Sequence, residues 1–386
     1  MLGLTRILCG VSRETDSLRY DLAEKTATRP VVVWNVTRRC NLHCIHCYSE
    51  SQDKGYSGEF DHEEGLSLID SLAEYGVPVL LFSGGEPLMR PDLMQLATYA
   101  ARKGLRTVLS TNGTLISLST ANDLKKAGFS YIGISLDGMG ETNDKFRGKT
   151  GAFGEALQGI KNCRQAGLRV GVRFTITNYN YQSVPGIFDL LVSEDIPRVC
   201  FYHLVYSGRG TKIMEHDLGH EKTRELISYV FEKTLELHKK GNTKDILTVD
   251  NHTDGVFLYM SLLKEHSDRA EVAYNLLKTN GGNRSGIAFG CISNTGEVYA
   301  DQFWRHHSFG NVRERKFAEI WEDTSDPLMK GLKNRRPLIH GRCAACKYYE
   351  LCGANFRVRA EAVHGDVWAP DPACYLTDEE IGVGAR

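Results

Sequence analysis

Three cysteines, Cys40, Cys44 and Cys47, fall on one short stretch at spacings of three and then two intervening residues. A loop with that spacing can wrap three corners of an iron–sulfur cube and leave the fourth iron without a protein ligand. A mixed zinc loop is the alternative, with His43 or His46 as the fourth ligand. Near the other end, Cys343, Cys346, Cys352 and Cys374 supply four thiols. Four are enough to close every corner of a cube or to make a tetrahedral zinc site. The singles Cys9, Cys163, Cys200 and Cys291 read as small apolar side chains. Eleven cysteines, an odd total clustered in two places in a long chain with no recognisable secretory leader, argue for metal ligation over disulfides.

An open iron makes chemical sense if it chelates the amino and carboxylate groups of S-adenosylmethionine (SAM). One-electron cleavage of SAM then yields a radical that removes hydrogen from an unactivated carbon. The elements that must hold such a loop are legible around it. From residue 31, short apolar runs alternate with longer stretches of helical period, the pattern of repeated βα units around a parallel sheet. Runs at 31–36, 79–82, 107–110, 131–135, 170–177 and 199–204 read as six buried strands. Helical periodicity begins near His62, Asp92, Ser117, Gly151 and Tyr181, and a sixth helix is expected over about 220–240.

Six units cannot close an eight-stranded barrel, so the expected fold is α/β, a partial (βα)6 TIM-like barrel with its reactive groups at the C-terminal ends of the strands. Cys40, Gly84, Thr111 and Asp137 each follow one of the first four strands, on that rim. Beyond about residue 245 the alternation fades; 281–283 reads as a loop or lid and 294–299 as a hairpin. The expected organisation is an N-terminal extension (1–30), the barrel (31–245), a linker or lid (246–290) and a C-terminal domain (291–386) carrying the second cysteine set.

Cys40-x3-Cys44-x2-Cys47 followed by Tyr48 resembles the signature of the radical SAM superfamily. Ser83-Gly84-Gly85-Glu86-Pro87 resembles the family's segment for the SAM amino group, which implies close backbone approach at Gly84 and Gly85 and an ammonium partner in Glu86. Ser110-Thr111-Asn112-Gly113, Ser135-Leu136-Asp137-Gly138 and Arg147 resemble further parts of the SAM pocket. The resemblance implies that Asn112 and Ser135 meet ribose or methionine and that Arg147 meets the carboxylate. Strand-end turn chemistry is the plainer reading of each.

The second cysteine set resembles the SPASM-type extension of the same superfamily, supported by Phe309-Gly310-Asn311-Val312-Arg313 and Ile320-Trp321. This implies one auxiliary [4Fe–4S] cluster on Cys343, Cys346, Cys352 and Cys374. Phe356 and Asp301-Gln302 stand where the fuller extension has cysteines, so a further cluster is expected to be missing, with Cys291 its relic. Finer segments at 30–40, 201–210, 302–307 and 355–360 resemble the tetrapyrrole-modifying members. That resemblance implies conversion of 12,18-didecarboxysiroheme to Fe-coproporphyrin III by radical removal of two acetate side chains. Haem d1 biosynthesis and peptide modification are the alternatives, and an iron–sulfur electron carrier is the non-enzymatic one.

A flat, anionic iron tetrapyrrole as substrate calls for local cations, aromatic faces and an axial imidazole. Arg173, Arg209 and Arg305 are expected carboxylate partners, Tyr202, Tyr206 and Trp304 faces, and His203, His306 or His307 an iron ligand. An external one-electron donor of ferredoxin or flavodoxin type completes the expected partners. The 386 residues carry a formal net charge of −1, which gives no field-driven reason to expect nucleic acid or an anionic membrane. No apolar stretch reaches a membrane-spanning length, and the expected location is cytoplasmic.

Overall fold

A computed structural model describes residues 1–20 and 29–384; residues 21–28 of the expected N-terminal extension and the last two of the C-terminal domain lie outside it. Ten strands form one mixed sheet: β1 (Leu2–Gly3), β2 (Val31–Thr37), β3 (Val79–Gly84), β4 (Arg106–Thr111), β5 (Tyr131–Ser135), β6 (Val170–Ile176), β7 (Arg198–His203), β8 (Asp245–Val249), β9 (Phe289–Ile292) and β10 (Val298–Tyr299). Their order is β1-β8-β7-β6-β5-β4-β3-β2-β9-β10. From β2 to β8 every neighbour pairs in parallel. The six expected strands and the helices between them are present. Their apolar helix-facing side chains, Trp34, Phe82, Phe174 and Phe201 among them, are fully buried in one core between sheet and helices.

The barrel runs one unit further than the six-unit expectation. β8 is a seventh parallel strand, too short an apolar run to announce itself, and its first residue is Asp245, ion-paired with Arg198 of β7. The stretch expected as linker or lid holds most of this strand and two helices, Thr253–Lys264 and Arg269–Asn280. The outer edge of β8 would be open to pairing, and the N-terminal segment seals it: β1 pairs antiparallel with β8, and Thr5 Oγ1 bridges the Lys244 carbonyl and the Ile246 N–H.

On the other flank β9 pairs in parallel with β2, and the expected hairpin returns as β10. The C-terminal region therefore continues the barrel's own sheet. Helix Phe317–Glu322 locks it there by laying Trp321 over Gly290, where a side-chain Cβ would sit 2.6 Å from the indole ring. No helix among the described residues is long and apolar enough to cross a membrane.

Candidate active site and the second cysteine site

The C-terminal ends of β2 to β8, or the segments that follow them, contribute to one cavity of about 160 Å³, which requires the sheet to curl around it. Cys40, Cys44 and Cys47 line it on one side. Ser83, Gly84 and Gly85 after β3, Ser110 and Asn112 at β4, Ser135 of β5, Arg173 of β6, Tyr202 and His203 of β7 and Asp250 after β8 complete the wall, with Arg147.

The cysteine loop has little regular structure and is held by its neighbours. Gly85 N–H donates to the Thr37 carbonyl (2.7 Å) and Glu86 N–H to that of Arg39 (2.8 Å). Gly84 adopts φ 127°, and any side chain at Gly84 or Gly85 would collide with those carbonyls. From the second side, His43 and Ile45 donate to the carbonyls of Arg147 and Phe146. From the third, Gly208 passes against the Cys47 and Tyr48 carbonyls where no side chain fits. Arg209 then donates its N–H to Cys47 O (3.0 Å), Nε to Cys44 O (2.7 Å) and Nη1 to Ser51 O (3.1 Å). Arg209 is thus a clamp on the loop, not the substrate partner expected from sequence.

The thiols have donors around them. Leu42 N–H approaches Cys40 Sγ (3.4 Å), Ser49 Oγ lies 3.3 Å from Cys47 Sγ, and Arg147 Nη1 reaches Cys44 Sγ (3.6 Å). Arg147 is also ion-paired with the fully buried Asp137, whose other oxygen accepts from Thr175 N–H. Burial works to lower the Arg147 pKa, but Asp137 outweighs it and holds the guanidinium charged. Burial drives Cys40 up to about 12 and raises Cys44 as well, so these two bare thiols hold their protons and metal must displace them to bind. His46, buried against the Phe146 ring, is held neutral by desolvation.

Of the residues expected to hold SAM, Gly84, Gly85, Asn112, Ser135 and Arg147 all face this cavity. Glu86 does not line it. Its carboxylate is fully buried and accepts from Thr111 Oγ1 (2.7 Å), Asn112 N–H (2.8 Å) and Leu88 N–H (3.1 Å), tying the end of β3 to the end of β4. Glu86 therefore positions Asn112. Asp250 and Gln302 also line the cavity; Gln302 was noted from sequence only as standing where the fuller extension has a cysteine, and Asp250, not singled out, follows the strand that sequence reading missed.

The second set, Cys343, Cys346, Cys352 and Cys374, lines a separate apolar pocket with Val256, Tyr348, Leu376 and Ile381. Burial pushes Cys343 up to about 11 and raises Cys346 and Cys352. Arg357 and Arg335 are buried beside these thiols and donate to carbonyl and amide oxygens, with no ion pair among the described residues. Among the described residues no three His, Cys, Asp or Glu side chains converge as the ligands of a single metal ion do; both cysteine sets surround cavities. Between the sites, Arg359 and Asp371 form a fully buried pair, and Arg359 also donates to the Leu204 (2.7 Å) and Asp250 (2.8 Å) carbonyls at the ends of β7 and β8.

Cys291, Trp304 and Phe356 pack in one apolar cluster. Trp304 is therefore core and offers no exposed face. A sequence model of the radical SAM superfamily matches residues 34–191, which span the cysteine loop and the first strand ends of the cavity. The chain is 56% identical, over 99% of both chains, to Fe-coproporphyrin III synthase of Methanosarcina barkeri.

The chain belongs to the radical SAM superfamily.

Membership implies a [4Fe–4S] cluster and SAM. Pre-heme d1 synthase of Dinoroseobacter shibae is 40% identical, over 92% of this chain and 88% of that one. Streptococcus suis SuiB bound to S-adenosylmethionine superposes with a TM-score of 0.72 at 18% identity, covering 92% of this chain and 80% of that one. That likeness concerns the fold alone. The radical SAM cavity fits the implied groups on its own chemistry: three thiols on one wall, hydroxyl and amide side chains on the others. Buried polar atoms at its edge, His46 Nδ1, Arg147 Nε and Gln302 Oε1, have no hydrogen-bond partner among the described residues.

Proposed function

We propose that this radical SAM enzyme acts in haem biosynthesis, converting 12,18-didecarboxysiroheme to Fe-coproporphyrin III by removing two acetate side chains. The observation that carries the reading is the near full-length identity to a Fe-coproporphyrin III synthase in a chain whose strand ends gather three thiols and a polar cavity. Cys40, Cys44 and Cys47 would hold a [4Fe–4S] cluster with one iron open, and Cys343, Cys346, Cys352 and Cys374 a second, fully ligated one. When bound, the first cluster and SAM together supply the adenosyl radical that takes a hydrogen from substrate.

The chain's own part is positional. Gly84 and Gly85 let backbone approach the methionine end, Asn112 and Ser135 offer ribose or methionine contacts, and Arg147 carries the charge for a carboxylate. Arg209 and the Phe146–Arg147 carbonyls keep the loop in place during turnover. The second site would pass an electron, and an external donor of ferredoxin or flavodoxin type would supply the first. Free thiols that are to hold clusters need a reducing compartment, which places the enzyme in the cytoplasm in this reading.

Anaerobic incubation of reconstituted protein with 12,18-didecarboxysiroheme, SAM and dithionite tests the proposal. Mass analysis should show loss of both acetate groups together with 5′-deoxyadenosine. A product of the haem d1 type, or no change in the tetrapyrrole, would overturn it. Iron and acid-labile sulfide analysis separates clusters from zinc at both sites.

A further inference from the structure

The radical SAM cavity, at about 160 Å³, is small for a macrocycle, since ligand sites for drug-sized molecules run to about 300–1,000 Å³. A second cleft of about 610 Å³ lies beside it, lined among others by Tyr48, Tyr206, Phe303, Arg305, His306 and Glu361. Tyr48 and Phe303 line both spaces, with ring centroids 5.4 Å apart in an edge-to-face contact, so they form the threshold between the two.

The cleft carries the three kinds of group that a flat, carboxylated iron macrocycle needs. Tyr48, Phe303 and Tyr206 are aromatic walls. Arg305 is half-buried and makes no ion pair among the described residues. The exposed His306 holds Nε2 2.7 Å from Glu361 and has its ring stacked on Trp304, 5.7 Å between centroids. A carboxylate on one ring nitrogen fixes the tautomer and orientation of a metal-ligating histidine, and Nδ1 of His306 has no hydrogen-bond partner among the described residues.

The other histidines expected as iron ligands are placed differently. His203 lies inside the small cavity with Nε2 bound to the buried Asp254 (2.9 Å). His307 is bound to Asp326 (3.0 Å) and does not line the cleft.

We propose that the cleft is the docking site of the iron tetrapyrrole, with His306 Nδ1 as axial ligand to its iron, Arg305 facing a ring carboxylate, and a rim side chain reaching over Tyr48 and Phe303 into the radical SAM cavity. The inference rests on the tetrapyrrole reading of the substrate. It makes the C-terminal region part of the substrate site, since Glu361 stands on helix Arg357–His364.

The test titrates the reconstituted full chain anaerobically with Fe-coproporphyrin III and, separately, with metal-free coproporphyrin III, reading absorbance and electron paramagnetic resonance. The wild type should bind both and show a histidine-ligated iron signature with the first. His306→Ala should lose that signature and weaken binding of the iron form alone. Glu361→Gln should keep the signature and weaken the iron form by about tenfold, while Arg305→Gln should weaken both forms by about tenfold. All three positions are at or near the surface, and unchanged thermal midpoints would show that the variants fold. A signature that survives in His306→Ala, or equal loss of both ligands in that variant, overturns the assignment. Absence of tetrapyrrole binding to the wild type overturns the substrate reading itself.

Discussion

The three cysteines of the N-terminal loop face a polar cavity into which every strand of the barrel contributes a hydroxyl, amide, guanidinium or other end group. The four at the C-terminal end face an apolar pocket walled by Val256, Leu376, Ile381 and two tyrosines. Cations attend both sites but are handled differently. Arg147 beside the first set is paired with Asp137; beside the second, Arg342 is paired with Asp378, whereas Arg357 and Arg335 are buried with no ion pair among the described residues. A buried guanidinium with no counter-ion is costly unless another negative charge stands near. The two cavities therefore differ in character: the first is polar on several sides, while the second is apolar with buried guanidinium groups beside it.

That contrast can be broken most sharply at the loop. Cys44→Ala should reduce 5′-deoxyadenosine formation to background while the second site keeps about four irons per chain; loss of iron from both sites would show that they do not assemble separately. Cys346→Ala should reverse the pattern, sparing SAM cleavage more than tetrapyrrole product, measured in the same assay. Asp371→Asn strands Arg359 in the interior and should cost about 3–5 kcal/mol in denaturant unfolding. Arg357→Gln removes a compensating cation and should lower the reduction potential of the second cluster by on the order of tens of millivolts, leaving the first unmoved.

The smallest effect concerns the loop that presents the threshold residue Phe303. Asp301 accepts from Phe303 N–H and Ser285, and burial raises its pKa from 3.8 to about 7. A raised acid binds its proton more tightly in the folded state. Its contribution to stability is therefore complete below pH 3.8 and lost as pH rises through about 7. Asp301→Asn should flatten that part of the stability profile, followed by thermal midpoint against pH.

Much of this arrangement was legible because strand ends carry local signals. The runs at 79–82 and 131–135 are apolar and bounded by Gly84 and Asp137, so both their type and the rim they point to could be read directly. Asp245–Val249 was not legible. Its apolar run is very short and its leading aspartate is explained only by Arg198, 47 residues earlier in the chain. Roles that depend on direction were also hidden. Nothing in Gly-Gly-Glu-Pro says that Glu86 turns toward Asn112, and nothing in Ser-Gly-Arg-Gly says that Arg209 clasps a loop 165 residues away. Those facts belong to tertiary packing, where the partner lies far along the chain.

The guanidinium of Arg359 gathers the Asp371 carboxylate with main-chain oxygens from the ends of β7 and β8. The C-terminal portion consequently cannot be exchanged as a cassette between relatives: a graft lacking this residue would leave two strand termini of the catalytic bowl unbraced. Whatever reshapes one cysteine site in evolution or by engineering must reckon with the other, because a single side chain ties strand ends beside the first to Asp371, whose carbonyl holds the Cys374 N–H of the second.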